Sequence, residues 1–248
     1  MPITDKIAQA ADRLREVRCN ASAIDGLPSS TAPQSLEEAY RVQLVLNQLL
    51  ATSGLGKQVG YKIGCTTEVM QQYLNIPHPC AGTLFQSTVF TGHGDYQSSR
   101  LCRAGVECEI AVQIGGDIIE ADETSHDKLA GYVGLVFASI ELVDDRWTDF
   151  SKVKTPCLVA DNFFNAGCVF SEGTDIDPQD LDQLRGSMQI NGKMIGTGTG
   201  RDILEHPLKA LAWLARHQIN LGEPLKEGQL VSLGSVVKTV WIDPGDRV

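Results

Sequence analysis

Gly105-Val-Glu-Cys-Glu-Ile-Ala-Val-Gln-Ile114 is the stretch on which the fold turns. Val106, Cys108, Ile110, Val112 and Ile114 recur at every second position, the period of a β-strand with one face in a core. The same alternation puts Glu107 and Glu109 together on the opposite face, about 7 Å apart along the strand. Two carboxylates at that spacing, with little lysine or arginine nearby in sequence, repel each other unless a cation or a proton lies between them. One reading is part of a metal site; the other is the exposed face of an edge strand.

Downstream, Val136-Phe-Ala-Ser-Ile-Glu-Leu-Val143 carries Glu141 inside an apolar run that reads as buried on both sides. An unpaired buried carboxylate costs several kcal/mol, so Glu141 needs a cation or an arginine, and Arg146 is the arginine at hand. Upstream, Val59-Gly-Tyr-Lys-Ile-Gly64 sets Lys62 on the same strand face as Gly60 and Gly64. Glycine neighbours leave room for a ligand beside the ammonium, although a surface lysine between turn glycines has the same pattern.

Around this β region the punctuation is of two kinds. Residues 3 to 18 place Ile7, Ala11 and Leu14 at helical spacing with Thr4 as a cap, and Ser35-Leu-Glu-Glu38 is a capping-box pattern that opens a helix through Leu50. From Gly60 onward short apolar runs alternate with Gly, Pro and Asp; Gly115-Gly116-Asp117 and Asn191-Gly192 predict hairpins. Helices are expected from about Thr124 to Gly131, from Asp177 to Leu184, and from Pro207, where Leu208, Leu211, Ala212 and Ala215 form an apolar stripe. The layout predicts one α+β domain: a helical segment over residues 1–58 packed on a mainly β core over residues 59–248, its sheet mixed or antiparallel and rolled, with helices outside.

The 248 residues carry 31 acidic against 21 basic side chains, a net charge of -10, with no basic stripe to track a phosphate backbone, so nucleic acid is not an expected partner. No apolar run approaches the roughly 20 residues that cross a bilayer. The start Met-Pro-Ile-Thr-Asp lacks the basic and then apolar order of a secretory signal, which predicts a cytoplasmic protein without membrane contact. Seven cysteines without a CxxC pair argue against a disulfide framework or a zinc ribbon, and most read as small core residues. Gly196-Thr-Gly-Thr-Gly200 lacks the lysine of a phosphate loop and reads as a substrate-facing or hairpin loop. The five histidines show no paired spacing for a transition metal, and no Gly-x-Ser-x-Gly elbow is present. Asp144 and Asp145 read either as supports of a site or as solvated loop charges.

Taken in order, Gly60-Tyr-Lys-Ile-Gly64, Gly82-Thr-Leu-Phe85, Val106-Glu-Cys-Glu-Ile110, Ser139-Ile-Glu-Leu-Val-Asp-Asp-Arg146, Ala160-Asp-Asn162 with Asn165-Ala-Gly167, and His206-Pro-Leu-Lys-Ala-Leu-Ala-Trp-Leu-Ala215 resemble the 2-hydroxypenta-2,4-dienoate hydratases and 4-oxalocrotonate decarboxylases of the fumarylacetoacetate hydrolase-like superfamily. The resemblance implies that Glu107, Glu109 and Glu141 hold Mg2+ or Mn2+ and that Lys62 is the active-site lysine, hard oxygen ligands suiting hard ions. It implies a small 2-oxo or 2-enol carboxylic acid as substrate, with Thr83, Leu84, Phe85, Asp161, Phe164, Thr197 and Ser235 around it, and a homo-oligomer. The activity implied is addition of water to a 2-hydroxyalka-2,4-dienoate; decarboxylation or tautomerisation of a related 2-oxo acid, and a non-catalytic acid-binding or partner-stabilising role, stay open. The chain departs from the pattern in three places. Pro79-Cys-Ala-Gly82 has Cys80 where the hydratases carry an acid/base aspartate, Phe163 and Phe164 are bulkier than the residues usual there, and Gly245-Asp-Arg-Val248 stands where another strand would follow. A thiol can exchange protons, so Cys80 is a possible substitute acid/base, with a packing role as its alternative.

Overall fold

The computed structural model describes residues 4–248. Its elements in chain order are α1 (Asp5–Asn20), α2 (Leu36–Leu50), β1 (Gln58–Gly64), α3 (Glu68–Leu74), β2 (Cys80–Phe85), β3 (Val89–Thr91), β4 (Ala104–Ile114), α4 (His126–Leu129), β5 (Val133–Asp144), α5 (Thr155–Ala160), β6 (Asn165–Phe170), β7 (Arg185–Ile190), β8 (Lys193–Thr199), α6 (Pro207–Leu221) and β9 (Leu230–Trp241). Among the described residues the strands form a seven-stranded sheet in the order β2-β1-β9-β4-β5-β6-β3 and a separate β7-β8 hairpin. The sheet is mixed, because β1 runs parallel to β9 and β3 parallel to β6 while the other neighbours are antiparallel. It is also rolled: Leu84 on the β2 edge packs with Ala111 on β4 and with Cys168 and Phe170 on β6, side chains that a flat sheet would keep apart.

Local chemistry explains the helices. Ser35 accepts a hydrogen bond from the Glu38 amide and starts α2, as the capping pattern predicts. Thr4 stands at the N-cap of α1 without a side-chain bond; Ile3, at which the expected helix begins, lies outside the described residues. Pro207 occupies the first turn of α6, and its expected stripe is buried throughout, with Leu208, Leu211 and Ala215 at 0 % exposure. Between helices and sheet, the Gln43 amide on α2 donates to the carbonyls of Ala81 (2.9 Å) and Val159 (2.7 Å), fixing β2 and α5 to the same helix.

Several expectations are corrected. Gly115-Gly116-Asp117 makes no tight turn: β4 and β5 do pair antiparallel, but residues 115 to 132 form an excursion with its own short helices between them. Asn191-Gly192 does make a two-residue hairpin, with φ of 53° and 77°. The helix expected over 124–131 is broken into 3-10 turns flanking the single turn of α4, and that over 177–184 is a 3-10 stretch, Pro178–Gln183, because neither has an apolar face long enough to bury. Gly196 to Gly200 run along the second arm of the β7-β8 hairpin and the turn after it, with Gly196 and Gly198 pressed on Val237 and Val236 of β9 and Thr197 exposed between them. The glycines around Lys62 are filled too: a Cβ at Gly60 would lie 1.8 Å from the Leu230 carbonyl oxygen, so Gly60 permits the parallel β1-β9 contact and gives no ligand space.

All seven cysteines are free thiols, and Cys65, Cys80, Cys108, Cys157 and Cys168 are buried. A thiol reagent under native conditions is expected to modify the exposed Cys19 quickly and Cys102 more slowly, and to reach the other five only after denaturation. Fast reaction of more than two thiols in the native protein would contradict this packing. A second consequence concerns acid. His217 on α6 lies among Tyr40 and Trp213, its Nε2 buried without a hydrogen-bond partner, and burial, helped by His78, lowers its pKa to about 4. The neutral ring is thus favoured in the folded chain, and the unfolded chain binds the extra proton first as pH falls. Up to about 3 kcal/mol of stability is therefore lost between about pH 6.5 and pH 4. Thermal melts of His217→Phe should lack that portion of the acid-side decline.

Candidate metal centre and active site

Strand register builds the centre. Glu107 on β4 lies directly opposite Glu141 on β5, and Glu109 follows two residues on, on the same face. The pairing of β4 with β9 slips at Val106/Cys108, Cys108/Glu109 and Glu109/Ala111, a cluster of irregularities at the acidic positions that re-aims side chains away from the ideal pleat. One oxygen from each of the three carboxylates then lies within 4.8 Å of the other two. Glu141 (0 % exposed) and Glu109 (3 %) are buried, and Glu107 is half-buried at the open side.

Lys62 enters the same centre from β1. Its Nζ lies 3.1 Å from Glu141 Oε1 and 3.4 Å from Oε2, with the side chain 2 % exposed. Burial alone would favour loss of its proton, but Glu141, Glu107 and Glu109 outweigh that and hold the ammonium above the ordinary lysine range. The carboxylates respond in the opposite sense. Burial first, then Glu141 and Glu107, push Glu109 well above the usual carboxylate range, and burial raises Glu141 despite Lys62. Each is positioned by a neutral donor: Ser232 Oγ donates to Glu109, Thr239 Oγ1 to Glu107, and Asn165 Nδ2 to Glu141 Oε1 at 2.9 Å. Three negative charges and one positive charge leave a deficit that a single divalent cation cancels, and the donor set is all oxygen. The residues present therefore fit a hard divalent ion.

Of the other expected site residues, the structure brings some to the centre and directs others away. Leu84 faces the interior, packed on Ala111, Cys168 and Phe170 at its floor. Thr83 and Phe85, on the alternate face of β2, point toward the helices: Thr83 Oγ1 accepts from Asn47 Nδ2 on α2, and Phe85 belongs to the main core. Asp161 is not free to meet a substrate, because Arg18 Nε and Arg146 Nε each bond one of its oxygens at 2.7 Å. Arg146 is thereby engaged with Asp161 and Asp144 and is not the partner of Glu141. Asp144 and Asp145 are buried rather than solvated, Asp144 accepting also from the amides of Cys102 and Arg103. Thr197 is exposed on β8, and the Ser235 hydroxyl bonds the carbonyls of Cys108 and Val237.

Phe164 packs edge-on against Phe150 and Phe163, and it is Phe163 whose ring covers Lys62, 5.1 Å from Nζ to centroid. Cys80 is 0 % exposed, and contact with the Cys65 thiol, with burial, raises its pKa well above the usual thiol range, which favours the packing role over proton exchange. Ser232, Thr239, Asn165 and Arg18 are functional positions that sequence alone does not single out. Asn165 belongs to the Asn165-Ala-Gly167 motif, but single hydroxyls on a long strand such as β9 give no signal before the register is known.

The fumarylacetoacetate (FAA) hydrolase C-terminal family matches residues 65–248, a span that includes the three carboxylates and begins just after Lys62. The 2-keto-4-pentenoate hydratase of Paraburkholderia xenovorans is 31% identical over 240 residues, covering 96% of this chain and 88% of the relative. The 2-hydroxyhexa-2,4-dienoate hydratase of Comamonas testosteroni is 34% identical over 242 residues, 95% and 88% of the two chains. Among solved structures, 4-oxalocrotonate decarboxylase from Pseudomonas putida, complexed with magnesium and adipate, superposes with a TM-score of 0.91 at 23% identity over 99% of this chain and 93% of that one. Fumarylpyruvate hydrolase from Pseudomonas aeruginosa, in complex with Mn2+ and pyruvate, gives 0.58 at 14% over 77% and 82%. A rolled mixed sheet, an acidic triad beside a buried lysine and full-length kinship agree: the chain belongs to the fumarylacetoacetate hydrolase family, on the branch that holds the 2-keto-4-pentenoate hydratases.

Proposed function

We propose that the protein is a metal-dependent carbon-oxygen lyase that adds water to 2-hydroxyalka-2,4-dienoate or 2-oxo-alkenoate acids and yields 4-hydroxy-2-oxo acids. The observation that carries this reading is the convergence of Glu107, Glu109 and Glu141 within 4.8 Å, in contact with a buried Lys62. The relatives above 30% identity are named as hydratases of such acids. Glu107, Glu109 and Glu141 would hold the ion, Mg2+ or Mn2+ by the hardness of the donors. When bound, that ion supplies Lewis-acid polarisation to the carboxylate and 2-oxygen of the acid.

The chain's own groups do the rest. Lys62, kept charged by its three acidic neighbours, stands where it can hold a proton beside the acid's unsaturated carbons. Asn165 and Ser232 fix the carboxylates of Glu141 and Glu109, and the floor of Leu84, Ala111, Cys168 and Phe170 excludes water from below.

A second reading, decarboxylase or tautomerase, is favoured by Cys80, whose buried thiol replaces the aspartate of the hydratases. Incubation of the magnesium-loaded protein with 2-hydroxypenta-2,4-dienoate separates the two. Loss of dienol absorbance with appearance of the 4-hydroxy-2-oxo acid is the expected result; conversion to the 2-oxo-3-enoate alone would replace hydration by tautomerisation. We also propose a homo-oligomer, supported by the exposed apolar side chains of Val69, Met70 and Tyr73 on α3, and sedimentation of the purified chain tests it.

A further inference from the structure

Phe163 is a bulky residue in a conformation that bulky residues avoid. Its φ is 44°, and Asn162 and Phe164 on either side are also left-handed, at 52° and 66°. Such backbone persists only where the surroundings over-determine it. Here they do: Asp161 is clamped by two arginines, the Asn162 carboxamide accepts from the Thr83 amide at 2.9 Å and donates to Asn47 Oδ1 at 2.6 Å, and Asn165 bonds Glu141. What the pinned turn achieves is the placement of one ring. A Cβ on Gly64 would meet Phe163 Cδ1 at 2.7 Å, so the ring fills the space that this glycine leaves, and its centroid lies 5.1 Å from the Lys62 ammonium that Glu141 holds at 3.1 Å.

The geometry points to Phe163 as the residue that sets which tail a substrate can carry: an uncharged tail is accepted against the ring, and a second carboxylate is turned away. This rests on the function proposed above. If the acid's oxygens lie at the three carboxylates and its reacting carbons at Lys62, the remainder of the molecule runs on to Phe163. Two physical facts then act against a charged tail. The face of an aromatic ring is the negative part of its quadrupole, attractive to the Lys62 ammonium and repulsive to an anion. Moreover, Lys62, the cation in contact with the acidic centre, is already matched by Glu141, so a second carboxylate set against the ring would have to share an ammonium that is already neutralised. The opposite direction is closed by the apolar floor, where Leu84, Ala111 and Cys168 are 0 % exposed.

The probes are 2-oxohexanoate and 2-oxoadipate, six-carbon acids that differ only in the terminal carboxylate, titrated by calorimetry into the magnesium-loaded protein. Wild type is expected to bind 2-oxohexanoate about 100-fold more tightly than 2-oxoadipate, the scale of one unpaired buried charge. Phe163→Gly suits the left-handed backbone and opens a hydrated space, so it should reduce that ratio at least about tenfold, chiefly by gaining affinity for the diacid. Phe163→Leu keeps an apolar wall but loses the ring quadrupole, so it should fall between wild type and Phe163→Gly while retaining most of the selection, which guards against a folding defect in the glycine variant. Equal affinities in wild type, or an unchanged ratio in Phe163→Gly, overturn the inference and leave the lyase reading standing. Failure of both acids and of oxalate to bind overturns the lyase reading and this inference together.

Discussion

Glu141→Gln is expected to lower kcat/KM by about 1,000-fold or more and to weaken magnesium binding by about 100-fold, with the fold retained. The substitution is nearly isosteric, so packing changes little, but it removes one of the three negative charges around the ion and, among the described residues, the one carboxylate that pairs with Lys62. Two effects then add in one direction. The ion exchanges a buried anionic ligand for a neutral amide oxygen, and Lys62, 2 % exposed, keeps only the more remote Glu107 and Glu109 to offset the burial that favours its neutral form. Glu107→Gln, at the half-buried edge, should cost less, because solvent can replace part of what it contributes. Calorimetric titration with magnesium beside steady-state kinetics checks the order of the two variants. A Glu141→Gln protein with wild-type metal affinity would remove Glu141 from the ligand set.

The difference between what the sequence showed and what it hid is one of range. Alternation along a strand is a local property, so Glu107 and Glu109 on one face, and the strand that carries them, could be read directly from residues 105 to 114. That Glu141 stands opposite Glu107 depends on the register of β4 with β5, which an eighteen-residue excursion separates, and only the family resemblance gave it in advance. The misjudged residues fail for the same reason. Thr83 and Phe85 sit beside Leu84 in sequence, but adjacent residues of a strand face opposite sides, so a motif transferred as a block placed two of its three side chains wrongly. Arg146 is close to Glu141 in sequence and is drawn instead to Asp161, fifteen residues on, by an ion pair that depends on α5 and the turn after it. Hairpin chemistry held where both turn residues could adopt positive φ, at Asn191-Gly192, and misled at Gly115-Gly116, where nothing local reveals that the chain leaves the sheet before returning.

That ion-pair cluster should dominate stability as Glu141 dominates activity. Asp161→Ala is expected to cost about 3–5 kcal/mol, seen as a fall in Tm of about 10 °C. Asp161 is 1 % exposed and receives Arg18 from α1 on one oxygen and Arg146 on the other. Its removal leaves two guanidinium groups facing each other in the interior; burial and Arg146 already hold Arg18 below the ordinary arginine range, and Asp144, 3.3 Å from Arg146 Nη1, is left to balance both. The same argument ranks the surface pairs far lower. Lys209 and Glu205 are solvated at the start of α6, where water replaces either partner, so Glu205→Ala should leave Tm unchanged. Arg18→Met with Asp161→Asn tests the origin of the cost, since it removes one charge of each sign and keeps the volume. Recovery of more than half of the lost stability in that double variant would assign the cost to uncompensated charge; no recovery would assign it to packing. Because Asp161 precedes the left-handed turn of Asn162 to Phe164, the single variant should also loosen the ring over Lys62, so that selection between 2-oxohexanoate and 2-oxoadipate falls at temperatures where the protein is still folded. Unchanged selection with lowered Tm would separate the clamp from the site.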